Sequence, residues 1–283
     1  MKRIPVCEVI DQRPVVDKDL PRPSSVFRPL TGDVCHIVLT ELRIPPSTMN
    51  VNCGLFEQFR GDGRPNLNAH FKVGEADCTV DRGLQAVVVE MRPGEYRDFC
   101  VGDGGEGRIS GRVCLSSVDK TSRTSWRDDD KLKLTAAARH KDAGNQLYGQ
   151  GRFADAFHRF NLAARAVLFV RDVDAVRADR DAMYVAVCNN MAACQLRLSN
   201  YEHAHQLSDK VLAVEPDNVK ALVRRCRASA ELRMFDGALA DAVRALEIDP
   251  GNVVAERYRD VAARGVNVQN ARYGDMVKKM FAA

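Results

Sequence analysis

The sequence predicts an α+β protein, with an antiparallel, strand-rich first half and an all-helical second half. Three observations carry that reading. From Gly32 to about Val118 glycines and prolines punctuate short apolar stretches, as in a domain of strands and turns. From about Asp128 onward glycine and proline almost vanish, alanine becomes common, and apolar residues recur at three- and four-residue steps, the spacing of amphipathic helices. Within that helical half, small, aromatic and proline residues repeat at a fixed period.

Taken in order, residues 1–31 carry five prolines and no clear period, and read as an extended lead-in. In residues 32–118, Val34–Leu39, Tyr96–Val101 and Gly111–Ser116 read as strands. Turn-rich segments such as Gly61-Asp62-Gly63-Arg64-Pro65 and Gly102-Asp103-Gly104-Gly105 separate them. Val87-Val88-Val89 suggests a further strand by propensity alone. The polar stretch Ser116–Lys131 marks a composition change, which places a linker at 119–131. Helical repeats are expected over 132–252 and a capping helix over 253–283.

Composition narrows the function classes. Of the 283 residues 45% are hydrophobic and 28% charged, as in a globular protein. The net charge of +4 is small and its basic residues are dispersed, so no nucleic-acid partner is expected. Apolar runs such as Ala86–Val89 fall far short of the ~20 residues that span a bilayer, and Met1-Lys2-Arg3-Ile4-Pro5 leads into charges rather than an apolar leader segment. No membrane association is expected. Nine cysteines lack CxxC pairing, which reads as reduced thiols in the cytoplasm or nucleus. The six histidines show no ligand spacing, and no nucleotide-binding or hydrolase motif occurs, so neither metal nor cofactor is expected.

The repeat has a period of 34 residues: it relates Ala192 to Cys226, Tyr201 to Phe235, Ala204 to Ala238 and Pro216 to Pro250. An earlier copy, Gly144, Phe153 and Ala156, keeps the internal spacing but lies 48 residues ahead of the second. Paired antiparallel helices explain the pattern: a small residue admits the partner helix, an aromatic fills the space at the turn, and proline ends each unit. This pattern resembles the tetratricopeptide repeat (TPR), in copies at about 137–184, 185–218 and 219–252. The resemblance implies a TPR superhelix. The 14 extra residues are expected to lengthen the second helix of the first copy by about four turns.

Once the repeat frame is set, five polar residues stand out because packing does not require them. Lys141 and Asn145 are four apart on one helical face, Lys220 and Arg224 repeat that relation, and Asn190 lies on the first helix of the middle copy. They resemble the carboxylate clamp of TPR co-chaperones, Lys-x3-Asn, then Asn, then Lys-x3-Arg. The resemblance implies capture of a chaperone tail ending in Glu-Glu-Val-Asp. Two ammonium groups and a guanidinium can neutralise the two carboxylates of a terminal aspartate, and asparagines add donors without charge. Lys220 and Arg224 are expected to point into solvent in the groove, while Ala192, Ala204 and Ala238 sit where helices touch.

Upstream, Phe71-Lys72-Val73-Gly74-Glu75, then Gly83-Leu84, then Glu90-Met91-Arg92-Pro93-Gly94-Glu95 are similar to the FKBP immunophilin domain. Gly32-Asp33 before Val34–Leu39 fits its early strand, Ser125-Trp126 fits the junction of large immunophilins, and Tyr273–Phe281 fits their tail. The family places a short helix where Val87-Val88-Val89 stands. Active members line an apolar pocket with aromatics. Here Leu39 and Leu84 occupy two of those positions, no Ala-Tyr-Gly loop follows Glu95, and Glu57 stands nearest to the pocket aspartate. Without the rings, the apolar surface for a prolyl group is lost. The domain therefore reads as a degenerate FKBP-like domain, as in the FK506-binding protein-like branch of the immunophilins.

The function implied is a heat shock protein 90 co-chaperone or adaptor, with no catalytic residues of its own and a further client protein. The tail of heat shock protein 70 stays open as a partner. The alternatives are a prolyl isomerase with a remodelled pocket and a germline small-RNA-pathway immunophilin. Trp126 is expected to pack on the first repeat helix, and the basic, amphipathic Arg272–Phe281 to serve as a cap rather than a calmodulin target.

Overall fold

The computed structural model describes residues 8–14, 28–44, 66–102, 108–120, 129–171 and 174–281. Glu57 and Trp126, and the turn at 61–65, lie outside the described residues. The chain divides into two compact units, Arg3–Thr124 and, apart from its first residues, Ser125–Ala283.

The first unit is an antiparallel sheet with one helix. Its strands are β1 (Glu8–Pro14), β2 (Val34–Arg43), β3 (Asn66–Lys72), β4 (Tyr96–Gly102) and β5 (Ile109–Asp119), in the spatial order β1-β4-β5-β2-β3. Alternation along β2 buries Cys35, Ile37 and Leu39 on one face. Helix α1 (Thr79–Val88) lies in the same core, contributing Val80, Leu84, Val87 and Val88 at helical spacing. Cys78 caps it, its Sγ accepting from the Asp81 amide at 3.2 Å. Gly74, at φ +94, turns the chain between β3 and α1, and its amide donates to Gln85 Oε1 at 2.8 Å.

Two features of this unit go beyond what local sequence pattern gives. Val87 and Val88 are helical, and Val89 forms the C-cap. Their β propensity yields because the helix hands both side chains to the core at no exposed surface. The lead-in 1–31 also contains a strand: β1 pairs with β4, from Glu8 opposite Gly102 to Pro14 opposite Arg97. A prolyl residue at the end of an edge strand costs no ladder bond, which is how so proline-rich a segment joins a sheet.

The second unit is, among the described residues, seven consecutive helices, numbered on from α1: α2 (Asp130–Gly149), α3 (Phe153–Leu168), α4 (Asp174–Arg197), α5 (Tyr201–Val214), α6 (Val219–Glu231), α7 (Phe235–Ile248) and α8 (Val253–Phe281). Three helix–turn–helix pairs therefore precede one long terminal helix. Each pair turns through one left-handed residue, Gly151, Ser199 or Arg233. The bonds at these turns also repeat: Arg152 N to Leu147 O, Asn200 N to Gln195 O and Met234 N to Ser229 O, at 3.0, 2.9 and 2.8 Å.

Small residues set how closely the helices pack. Ala156, Ala192, Ala204, Cys226 and Ala238 have no exposed surface. At Gly144 an added Cβ would stand 2.6 Å from the Phe160 ring, and at Gly265 one would run into the ring of Phe235. The extra 14 residues are not where the sequence reading put them. Helix α3 has 16 residues against 14 in α5 and α7, whereas α4 has 24 against 13 in α6. The addition falls in the α3–α4 connection and the start of α4. Its alternation of Asp and Arg suits a solvated helix face rather than a longer buried one.

One buried ion cluster ties the start of the array together. Asp129 caps α2, accepting from the Lys131 and Leu132 amides. Asp130 bonds Lys133 Nζ at 2.9 Å and Arg171 Nε at 2.8 Å, and these contacts hold its carboxyl down at about 2. A second network, Arg225 on α6, forks onto Asp241 of α7 at 2.6 and 2.8 Å and reaches Asp209 of α5 at 2.8 Å.

Two predictions follow from this packing. Gly144→Ala should lower stability by about 1–3 kcal/mol, because the Phe160 ring must move. Gly237→Ala, on α7 with nothing near its added Cβ, should be neutral or stabilise by about 0.4–1 kcal/mol. Thermal melts of the two variants decide this; equal losses would show that the contact at Gly144 is not what matters. For Asp130, the folded-state pKa lies below the ordinary carboxylate value, so its contribution is complete above about pH 4 and is lost as pH falls toward about 2. The gap in melting temperature between the parent and Asp130→Asn should be constant near neutrality and close across that window.

Candidate functional site

The first helices of the pairs are neighbours in space, α2 beside α4, α4 beside α6 and α6 beside α8. Side chains on their shared face therefore line one surface, and all five residues singled out from sequence lie on α2, α4 and α6.

Lys141 and Asn145 sit one turn apart on α2. Asn190, near the end of α4, donates from Nδ2 to Asn145 Oδ1 at 3.0 Å, so the structure joins these two amides directly. Lys220 and Arg224 sit one turn apart on α6, with Lys220 in the first turn. A cation there opposes the positive end of the helix dipole, a placement that helix stability does not favour. Neither lysine ammonium has a hydrogen-bond or ion-pair partner among the described residues.

Lys220 is exposed, and Ala192, Ala204 and Ala238 are buried between helices, as expected. Arg224 differs. It is half-buried rather than directed into solvent, and burial pushes its guanidinium pKa down. Its neighbours include Tyr148 of α2 and Cys194 of α4, whose thiol burial pushes up to about 12. Its Nη1 donates to Asn189 Oδ1 at 2.8 Å. No carboxylate pairs with Arg224 among the described residues, whereas the adjacent Arg225 is held by two. Burial of one arginine without a counter-charge leaves an attraction for an incoming anion.

Two residues of this surface were missed in the sequence. Asn189 is only 6% exposed, and besides receiving Arg224 it donates from Nδ2 to Asn218 Oδ1 at 3.3 Å. Asn218 caps α6, accepting from the Ala221 amide at 3.0 Å, and its own Nδ2 donates to Glu215 at 2.7 Å. The available signals were two adjacent asparagines in an otherwise apolar stretch, and an asparagine just ahead of a helix.

In the sheet unit, Leu39 of β2 and Leu84 of α1 share the core with Val101, Ile109 and Met91, and neither leucine has exposed surface. Among the described residues no group of His, Cys, Asp or Glu could hold a metal ion, and no helix is long and apolar enough to cross a membrane. The tail, within α8, exposes Tyr273, Met276, Met280 and Phe281.

No family model matches the chain. A human protein described as FK506-binding protein-like is 32% identical over 190 residues, which cover 65% of this chain and 52% of that one. Rat peptidyl-prolyl cis-trans isomerase FKBP4 is 25% identical over 231 residues, 75% of this chain and 49% of that one. The chain joins an FKBP-like domain to tetratricopeptide repeats. It spans about half the length of these two relatives. The crystal structure of residues 1–211 of CG17282 shares the fold, with 15% identity, a TM-score of 0.52, and coverage of 68% of this chain and 91% of that one.

Proposed function

We propose that the TPR unit grips the acidic C-terminal tail of a heat-shock chaperone, heat shock protein 90 before heat shock protein 70, and that the protein acts as a co-chaperone or adaptor. The observation that carries this reading is the charge left over on one face. Lys141, Lys220 and Arg224 offer three cations without a carboxylate partner among the described residues, beside the bonded amides of Asn145 and Asn190. A terminal aspartate brings a side-chain carboxylate and a main-chain carboxylate to that face. Charge-assisted hydrogen bonds to each contribute roughly 1.5–3 kcal/mol when partly desolvated.

In the same reading the FKBP-like domain binds a client or partner and does not catalyse proline isomerisation. Aliphatic Leu39 and Leu84, buried in the core, support this because an isomerase pocket needs accessible apolar surface for the prolyl ring.

The whole protein should bind a Glu-Glu-Val-Asp peptide in calorimetry, more weakly as salt rises. Lys220→Ala should change stability by less than about 0.5 kcal/mol and yet weaken the peptide roughly ten- to a hundredfold. Tail affinity equal to that of the parent would remove Lys220 from the clamp. On a proline-containing peptide the protein should give no rate above the uncatalysed one; an enhancement abolished by an FKBP ligand would restore the domain to the enzymes.

A further inference from the structure

Arg224 differs from Arg225 and Arg244 in what holds it. Arg225 and Arg244 are met by carboxylates, from Asp241, Asp209, Asp217 and Glu247. Arg224 is met by a neutral amide, the buried Asn189. That amide cannot turn over freely, because a chain of donors and acceptors fixes it. The Ala221 amide and the Glu215 carboxylate settle which end of Asn218 is its carbonyl. The Asn218 carbonyl then takes the Asn189 Nδ2, and the Asn189 carbonyl is left facing the guanidinium. The relay begins at the cap of α6 and returns to α6 six residues on, crossing α4 between.

We infer that Asn189 is a positioning residue for anion capture: it fixes the Arg224 guanidinium through a neutral acceptor and leaves its charge for the carboxylate of the bound peptide. This deepens the tail-binding reading and rests on it. The chemistry explains the residue type. Alanine at 189 would leave the guanidinium without a fixed partner, and side-chain freedom would have to be lost on binding. Aspartate, of the same shape, would keep the hydrogen bond but supply the counter-charge internally, so the peptide carboxylate would compete with a tethered one. The amide of Asn189 holds the guanidinium and leaves its charge unmet by a carboxylate.

The test is peptide calorimetry on the whole protein with the Glu-Glu-Val-Asp peptide, using the parent, Asn189→Ala, Asn189→Asp, Arg224→Ala and the Asn189→Ala/Arg224→Ala double variant. Thermal melts accompany each. Both Asn189 variants should bind roughly 5- to 50-fold more weakly, and the double variant no more weakly than Arg224→Ala alone, as coupled residues require. Asn189→Asp should lose affinity even if it melts at or above the parent temperature, a split that a purely structural role does not give. Losses that multiply in the double variant, or Asn189 variants that bind like the parent, overturn the inference while the clamp stands. A parent that binds no peptide at low salt overturns the tail-binding reading and this inference together.

Discussion

Helices can lie close enough to share a binding face only where no side chain stands between them, and that constraint organises the TPR unit. Gly144 against Phe160, and Gly265 against Phe235, are approaches that even a methyl group would block. Ala192 and Cys226, at the points of the later copies equivalent to Gly144, have no exposed surface. Because close packing recurs at each pair, successive first helices come to lie side by side. Five polar residues scattered over 84 positions of sequence, Lys141 to Arg224, then belong to one surface. The aromatic partners Phe160 and Phe235 fill the room that the small residues make, so each small residue and its ring act as one unit of packing.

Electrostatics divides along the same lines. Charges that serve the fold are matched within it: Asp130 with Lys133 and Arg171, Arg225 with Asp209 and Asp241. Pairing offsets part of the cost of burying such groups. Among the described residues no carboxylate meets Lys141, Lys220 or Arg224, and Lys220 stands against its own helix dipole. Two neighbours in sequence, Arg224 and Arg225, thus take opposite roles because successive residues on a helix face about 100° apart. The first looks toward the groove and an amide, the second toward the carboxylates of α5 and α7.

The sheet unit reaches its stability by a different route. A single buried face of alternating residues packs on α1, and aliphatic Leu39 and Leu84 complete that core. Interior packing at this density leaves little tolerance for exchanging aliphatic groups for rings. Restoring aromatics at those two positions would be an overpacking problem before it became a gain of binding surface.

Much of this was legible in the amino-acid sequence. A 34-residue period is a property of the chain itself, and so are the i, i+4 pairs Lys141–Asn145 and Lys220–Arg224, because helical geometry fixes which residues share a face. Strands at Val34–Leu39 and Tyr96–Val101 were legible for the same reason, since alternation and turn residues act over a few positions. The rest depended on partners distant in the chain. Val87 and Val88 became helical because a sheet was there to bury them, and β1 became a strand because β4 offered an edge. The extra 14 residues went to α4 because α3 is bounded by its contacts, with Asp130, 41 residues away, holding Arg171 just beyond its end. Asn189 meets Arg224, 35 residues on. Local pattern determines what an element is and which way its residues face; only the packed structure decides which groups meet, because a hydrogen bond depends on distances of a few tenths of an ångström between atoms that the sequence does not place.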